Sequence, residues 1–235
     1  MTKAVTILNT AMPKSTPLAP SSEDLRPISK EVICIHSPEV KAAEAIRGLS
    51  RQVEVHVNKG ARSFALVADA PQRGTSFLAC NLAVCCARNG LDTVLIDANL
   101  NAPRQAAFFG IPRDVPGLGD WLRSRHPLQV RSQFGVIRLP NLAIIPAGTA
   151  GAGEALLEHV NFSSIVAGMA RAFQVTIIDS PSMAHEAGAM AVIGSADRTL
   201  IVARQDHTSI SGVQALERMV QQCHGEVAGT VLTRF

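Results

Sequence analysis

Between an apolar run and a helical pattern, this chain carries Phe64-Ala65-Leu66-Val67-Ala68-Asp69-Ala70-Pro71-Gln72-Arg73-Gly74-Thr75-Ser76. No other stretch restricts the fold so sharply. An apolar strand runs into a turn, then a glycine and a Thr-Ser pair, and a helical pattern opens at Phe77. That is the layout of a phosphate-binding loop, in which main-chain N–H groups and a helix N-terminus cradle an anion. The full pattern is Gly-x-x-x-x-Gly-Lys-Ser/Thr. Gly74 and Ser76 hold their places, but Thr75 stands at the lysine position and Asp69 at the first glycine position. Pro71, Gln72, Arg73, Gly74, Thr75, Ser76 and Phe77 are the expected nucleotide contacts, without the residue that neutralises phosphate charge.

The rest of the chain supplies the frame such a loop requires. A helix is expected from Ser37, with Pro38 at its first position, to about Asn58, ending at Gly60. Strands are expected at 63–68, 93–97, 142–145, 175–179, 198–203 and 227–233. Helices are expected between them, near 153–159, 162–172, 184–195 and 209–222. Continuous apolar strands separated by helices predict an α/β fold, a P-loop NTPase-type, mostly parallel sheet flanked by helices on both faces. Residues 1–30, rich in Pro, Ser and Thr, read as a flexible tail before one domain over 31–235.

Composition narrows the function. The net charge is +3 and aromatics are 4% of the chain, which argues against nucleic acid and base-stacking platforms. The five cysteines are odd in number and form no Cys-x-x-Cys pair, as expected of reduced thiols. No apolar run approaches a membrane span and no signal-peptide core opens the chain, so a cytoplasmic location is expected. The seven histidines are scattered without metal-ligand spacing.

Asp97 and Asp179 each end an apolar strand. On parallel sheets ligands bind at those carboxyl ends. A carboxylate there holds magnesium directly or through water, and the Ser76 hydroxyl is the third expected magnesium contact. Capping of the following loops is the plainer role for a single aspartate; two of them beside a Gly-x-Ser loop form a more specific set. Arg204 ends another strand near this place, where it reaches a nucleotide or pairs with Asp206 or Asp197. Arg73 brings a substitute cation to the loop or faces solvent.

These motifs together resemble the cytoplasmic domain of the bacterial protein-tyrosine kinases (BY-kinases) that regulate capsule and exopolysaccharide chain length and export. That family is related to the MinD and ParA partitioning ATPases. The resemblance spans roughly residues 36–235. It rests on Glu44-Ala45-Ile46-Arg47, on Pro71 to Ser76 followed by Asn81-Leu82-Ala83, and on Val94 to Leu100. It rests further on Gly117 to Leu122, Ile145 to Gly148, Glu154 to Leu157, Val175 to Pro181 and Leu200 to Arg204. It implies ATP or ADP with magnesium as cofactors, and Asp97 and Asp179 as catalytic aspartates. It implies a homo-oligomer contact through Glu44, Arg47 and Arg51. It also implies an integral-membrane polysaccharide co-polymerase as partner, which would hold the protein peripherally at the inner membrane.

The departures point one way. The lysine is Thr75, the family's second acidic residue is Asn99, the last arginine of the helix motif is Ser50, and the asparagine after the final strand is Thr233. The family phosphorylates a cluster of its own tyrosines, and this sequence contains none. Losing one positioned electrostatic donor typically costs a hundred- to a thousandfold in rate, about 3–4 kcal/mol. The expectation is therefore a stand-alone, catalytically degenerate relative with nucleotide binding weak or lost. Two readings compete with it: an active ATPase or protein kinase with a non-standard loop, and a partitioning-type ATPase. The partitioning lysine early in the loop is absent, since residues 69–72 read Asp-Ala-Pro-Gln.

Overall fold

The computed structural model describes residues 26–123, 136–149, 154–158 and 160–234. Most of the expected tail, and the Gly151–Gly153 segment, lie outside the described residues.

Seven strands form one sheet in the order β3-β4-β2-β5-β1-β6-β7. They are β1 (Ser63–Ala68), β2 (Thr93–Asp97), β3 (Val136–Leu139), β4 (Leu142–Ile145), β5 (Val175–Asp179), β6 (Arg198–Arg204) and β7 (Val227–Thr233). All neighbours pair parallel except β3, which pairs antiparallel with β4 at one edge. The helices are α1 (Ile33–His36), α2 (Lys41–Asn58), α3 (Thr75–Arg88), α4 (Gln105–Phe108), α5 (Leu118–Arg123), α6 (Val160–Ala172), α7 (Glu186–Ser195) and α8 (Ile210–Gln222). None among the described residues is long and apolar enough to cross a membrane.

The apolar strands read as uninterrupted because both faces of the sheet are covered. On β1, Phe64, Leu66 and Ala68 join one core with α2 and α3, while Ala65 and Val67 serve two smaller cores. Every residue of β1, β2 and β5 is buried. Each aliphatic side chain so enclosed stabilises the fold by roughly 1.5–3 kcal/mol. The chain leaves β1 toward β2 on one side, and later passes from β5 to β6 on the other. The two connections diverge at the centre of the sheet, and that divergence opens a crevice at the strands' carboxyl ends.

Three expectations change. The long helix begins at Lys41 rather than Ser37; Val40 is its cap, and no side chain caps it. Residues 37–40 form a turn instead, so Pro38 fixes that turn and not the helix start. The edge strand β3, Val-Ile-Arg-Leu turned onto β4 through Pro140-Asn141, is not among the expected strands. Residues 26–30 belong with the domain and not with a free tail. The Arg26 and Ser29 amides donate to the Gly110 and Phe108 carbonyls at 2.9 and 2.8 Å, and Ile28 packs on the core.

Gly110 permits that docking. Its φ is +63°, and a Cβ would sit 2.2 Å from the Arg26 carbonyl oxygen. Gly110→Ala should therefore detach residues 26–30 and lower stability by about 1–3 kcal/mol. Hydrogen exchange at Arg26 and Ser29 measures this: their amides should lose protection, and retained protection would contradict the packing.

Candidate functional site

At the crevice, β1 delivers the loop 69–74 to the start of α3. Gly74 adopts φ +87° as the helix cap, and Gln72 is also left-handed at φ +61°. The pair of positive-φ residues turns the chain sharply enough to bring its main chain round the helix N-terminus. No side chain caps α3 at Gly74.

The side chains around this loop are committed elsewhere. Arg73 Nε donates to Asp69 Oδ1 at 3.0 Å, an ion pair with side-chain exposures of 17% and 14%. Arg73 Nη2 also reaches the His207 carbonyl at 3.4 Å. The Thr208 hydroxyl donates to the same Asp69 oxygen at 3.0 Å. Thr233 donates its hydroxyl to the Arg73 carbonyl at 2.9 Å. Arg204 Nη1 donates to the Gln72 carbonyl at 3.0 Å. The loop is thus held to β6, to the 205–209 turn and to the end of β7. Arg73 is neither solvent-facing nor a free substitute for the lysine, because Asp69, four residues earlier in the loop, neutralises it. Arg204 clasps the loop, while Asp197 accepts from Arg62 N, Ser63 N and Ser63 Oγ at the sheet's opposite end.

Asp97 and Asp179 lie side by side in register on β2 and β5. Both are fully buried. Asp97 Oδ2 accepts from the Arg104 and Gln105 amides at 3.1 and 2.9 Å. Gln105 then turns its side-chain amide back, donating to Asp179 Oδ2 at 2.7 Å and to the Ser76 carbonyl at 3.1 Å. One glutamine therefore joins α4, both aspartates and the first turn of α3. Sequence reading missed it: a glutamine eight residues beyond an aspartate carries no pattern.

Burial pushes the Asp97 carboxyl well above its usual range, and the neighbouring Asp179 charge adds to this. Burial raises Asp179 to about 6, against hydrogen bonds from Gln105 and Ser76 that favour its ionised form. The two protons belong to the pair. Asp97 Oδ1, Asp179 Oδ1 and Gln105 Oε1 are buried without a hydrogen-bond partner. Three orphaned oxygens around a charge-poor centre fit a hard divalent cation, which takes oxygen donors only. Ser76, Asp97 and Asp179 are the residues that would hold magnesium. Among the described residues, no group of three His, Cys, Asp or Glu forms another metal site.

A cleft of about 1200 Å³ is lined by the docked residues Arg26, Pro27 and Ser29, by the loop after β2, by the 106–115 stretch and by the 146–149 turn; neither the loop 69–74 nor the paired aspartates line it. Two segments singled out separately in the sequence meet there. Leu118 N and Gly119 N donate to the Pro146 and Ala147 carbonyls, each at 2.8 Å, and Asp120 binds the Gly117 and Thr149 amides. On α2, Glu44 and Arg51 are exposed, but Ser50 is buried and accepts from Asn89 at 3.2 Å. Arg47 is turned onto the Pro38 carbonyl.

With this geometry in hand, the chain can be set beside known proteins. No protein-family model matches it. It is 24% identical over 212 residues to a protein named as a tyrosine-protein kinase in the cps region of Klebsiella pneumoniae. It is 22% identical over 200 residues to one named as tyrosine-protein kinase CapB of Staphylococcus aureus. It is 24% identical over 213 residues to the succinoglycan biosynthesis transport protein ExoP of Rhizobium meliloti. These alignments cover 89%, 84% and 86% of this chain. The chain spans 29% of the Klebsiella protein, 26% of ExoP and 86% of CapB. Among solved structures it superposes on the kinase domain of Escherichia coli ETK with a TM-score of 0.79 and 18% identity. That match covers 93% of this chain and 88% of the other. It is also similar to MinD of Pyrococcus horikoshii, solved with Mg-ADP. There the TM-score is 0.62 at 16% identity, over 73% and 69% of the two chains.

The fold is that of the bacterial tyrosine-kinase domains. In that fold the loop and the paired aspartates lie at the carboxyl ends of the parallel strands, and the MinD likeness shows the same α/β architecture.

The raised carboxyl pair has a sign that can be measured. A carboxyl whose folded pKa exceeds its unfolded value binds protons more tightly when folded. It therefore favours the folded state below the unfolded pKa and loses that advantage as pH rises through about 6. In a magnesium-free chelating buffer, Asp179→Asn should raise unfolding free energy at pH 7 by roughly 1–3 kcal/mol, and the gain should fade toward pH 4. Urea unfolding across that range checks this; destabilisation at both ends would contradict the buried, repelling pair.

Proposed function

We propose that this protein is a catalytically degenerate, tyrosine-kinase-like regulator of exopolysaccharide polymerisation or export. It acts through an integral-membrane co-polymerase of the chain-length determinant type, and that partner holds it at the cytoplasmic face. The observation that carries the reading is the Asp69–Arg73 ion pair in a loop whose lysine position is Thr75. Phosphoryl transfer needs positioned positive charge on the terminal phosphate. Here the loop's own guanidinium is neutralised, and an aspartate adds negative charge where a glycine would sit.

Weak nucleotide binding fits the same site. Main-chain amides at Gly74 and the start of α3 would receive phosphate oxygens. Ser76, Asp97 and Asp179 would hold magnesium, whose chemistry is to bridge and neutralise those oxygens. Gln105 fixes the two carboxylates for that role, and Arg204 steadies the loop from behind. Autophosphorylation on tyrosine has no acceptor in these 235 residues. Glu44 and Arg51 give α2 an exposed charged pair for contact between copies. The capsule and exopolysaccharide names of the relatives support the pathway, and the mild charge of the chain gives no support to a nucleic-acid partner.

Three measurements test this. Purified protein should hydrolyse ATP no faster than its Asp179→Ala variant. Turnover well above that variant would overturn the reading and favour a working enzyme. Thr75→Lys should tighten Mg-ATP binding about tenfold, equivalent to 1.4 kcal/mol; unchanged affinity would mean the missing lysine is not the limiting charge. In a strain lacking the gene, Asp179→Ala should restore exopolysaccharide as fully as the native sequence, and failure to complement would contradict a non-catalytic role.

A further inference from the structure

Two thiols far apart in sequence meet where the docked N-terminal segment crosses the P-loop helix. Cys34 on α1 and Cys85 on α3 place their sulfurs 3.2 Å apart within one hydrogen bond. Both are buried, at 2% and 3% exposure. The contact sits in a latch. Cys34 N donates to Asn81 Oδ1 at 3.0 Å, and Asn81 Nδ2 donates back to the Glu31 carbonyl at 3.1 Å. The Arg88 guanidinium donates to the Cys34 carbonyl. Main-chain hydrogen bonds therefore hold Cys34 at Cys85 whether or not the sulfurs react.

We propose that Cys34 and Cys85 form a disulfide on exposure to a hydroperoxide, locking α1 to the P-loop helix and fixing the Arg26–Ser29 wall of the cleft. The hydrogen bond between the two sulfurs, against the opposing effect of burial and with the charges of Arg47 and Arg88, favours the Cys85 thiolate, while the same bond raises Cys34. Cys85 is thus the attacking sulfur. Its thiolate displaces hydroxide from the peroxide and becomes a sulfenic acid, with the sulfur oxidised and the O–O bond reduced. The Cys34 sulfur then attacks that sulfur, forming the S–S bond and releasing water. The sum is two thiols and one peroxide giving one disulfide and two waters. Cys80 and Cys86 are raised by burial and have no sulfur partner of this kind; Cys223 lies on the other side of the sheet, beside α7.

The inference does not rest on the proposed function, since it concerns the thiols alone. The test is to treat the full chain with stoichiometric hydrogen peroxide, digest it without reductant, and map cross-linked peptides by mass spectrometry. The expected product is a Cys34–Cys85 peptide lighter by two hydrogens. Closing so long a loop should raise the melting midpoint by roughly 10 °C, reversibly with dithiothreitol. Cys34→Ser and Cys85→Ser should each abolish cross-link and shift, and Cys223→Ser should keep both. Stable oxygen adducts on Cys85 without the cross-link, or dimers through Cys223 alone, would overturn the proposal. The wild-type peptide map decides the matter even where a serine variant fails to fold.

Discussion

The carboxylate of Asp69 governs what the phosphate-binding loop can do. It faces Arg73 four residues on and Thr208 across the crevice, and it is only slightly exposed. A surface ion pair contributes about 0–1 kcal/mol; one this shielded, with a second hydrogen bond on the same oxygen, is firmer. For Arg73 to reach a bound phosphate it must abandon that partner, and the aspartate left behind repels the same phosphate. Gly74 and Gln72 give the loop its left-handed turns, while the Asp69–Arg73 pair leaves it without net positive charge.

The magnesium end of the crevice tells a complementary story. Asp97 and Asp179 are fully buried neighbours, an arrangement that like-charge repulsion and desolvation both oppose. Gln105 relieves part of the cost by donating to Asp179 and, through its main chain, to Asp97. It leaves one oxygen of each carboxylate without a partner. Sites that keep such unsatisfied oxygens retain an affinity for a hard cation. Under the proposed function, oxygens placed for a cation beside a loop without its lysine are what weak, non-catalytic nucleotide binding would use.

Much of this was legible before any coordinates. The uninterrupted apolar strands foretold a sheet covered on both sides, and the aspartates at the ends of two of them foretold the crevice. Gly74 and Ser76 marked the loop. What escaped detection depends on contacts distant in sequence. Gln105 acts only because α4 folds back over Asp97, and Thr208 and Thr233 act only because β6 pairs with β1 and β7 with β6. The antiparallel edge strand β3 is a short Val-Ile-Arg-Leu run joined to β4 through Pro140-Asn141, and the expected strands do not include it. The Asp69–Arg73 pair is an acid and a base four residues apart, a spacing that brings side chains together on a helix but carries no such expectation in a loop. Proline at position 38 suggested a helix start, yet tertiary packing of α2 began three residues later.

The central claim is that no positive charge awaits the terminal phosphate. Calorimetric titration with Mg-ADP and Mg-ATP under identical salt tests it most directly. The account predicts weak binding of both, with dissociation constants within a few-fold of each other, because main-chain amides and magnesium see the same inner phosphates in each. A preference for Mg-ATP of a hundredfold or more, about 2.7 kcal/mol, would show a basic group engaging the terminal phosphoryl and would contradict it.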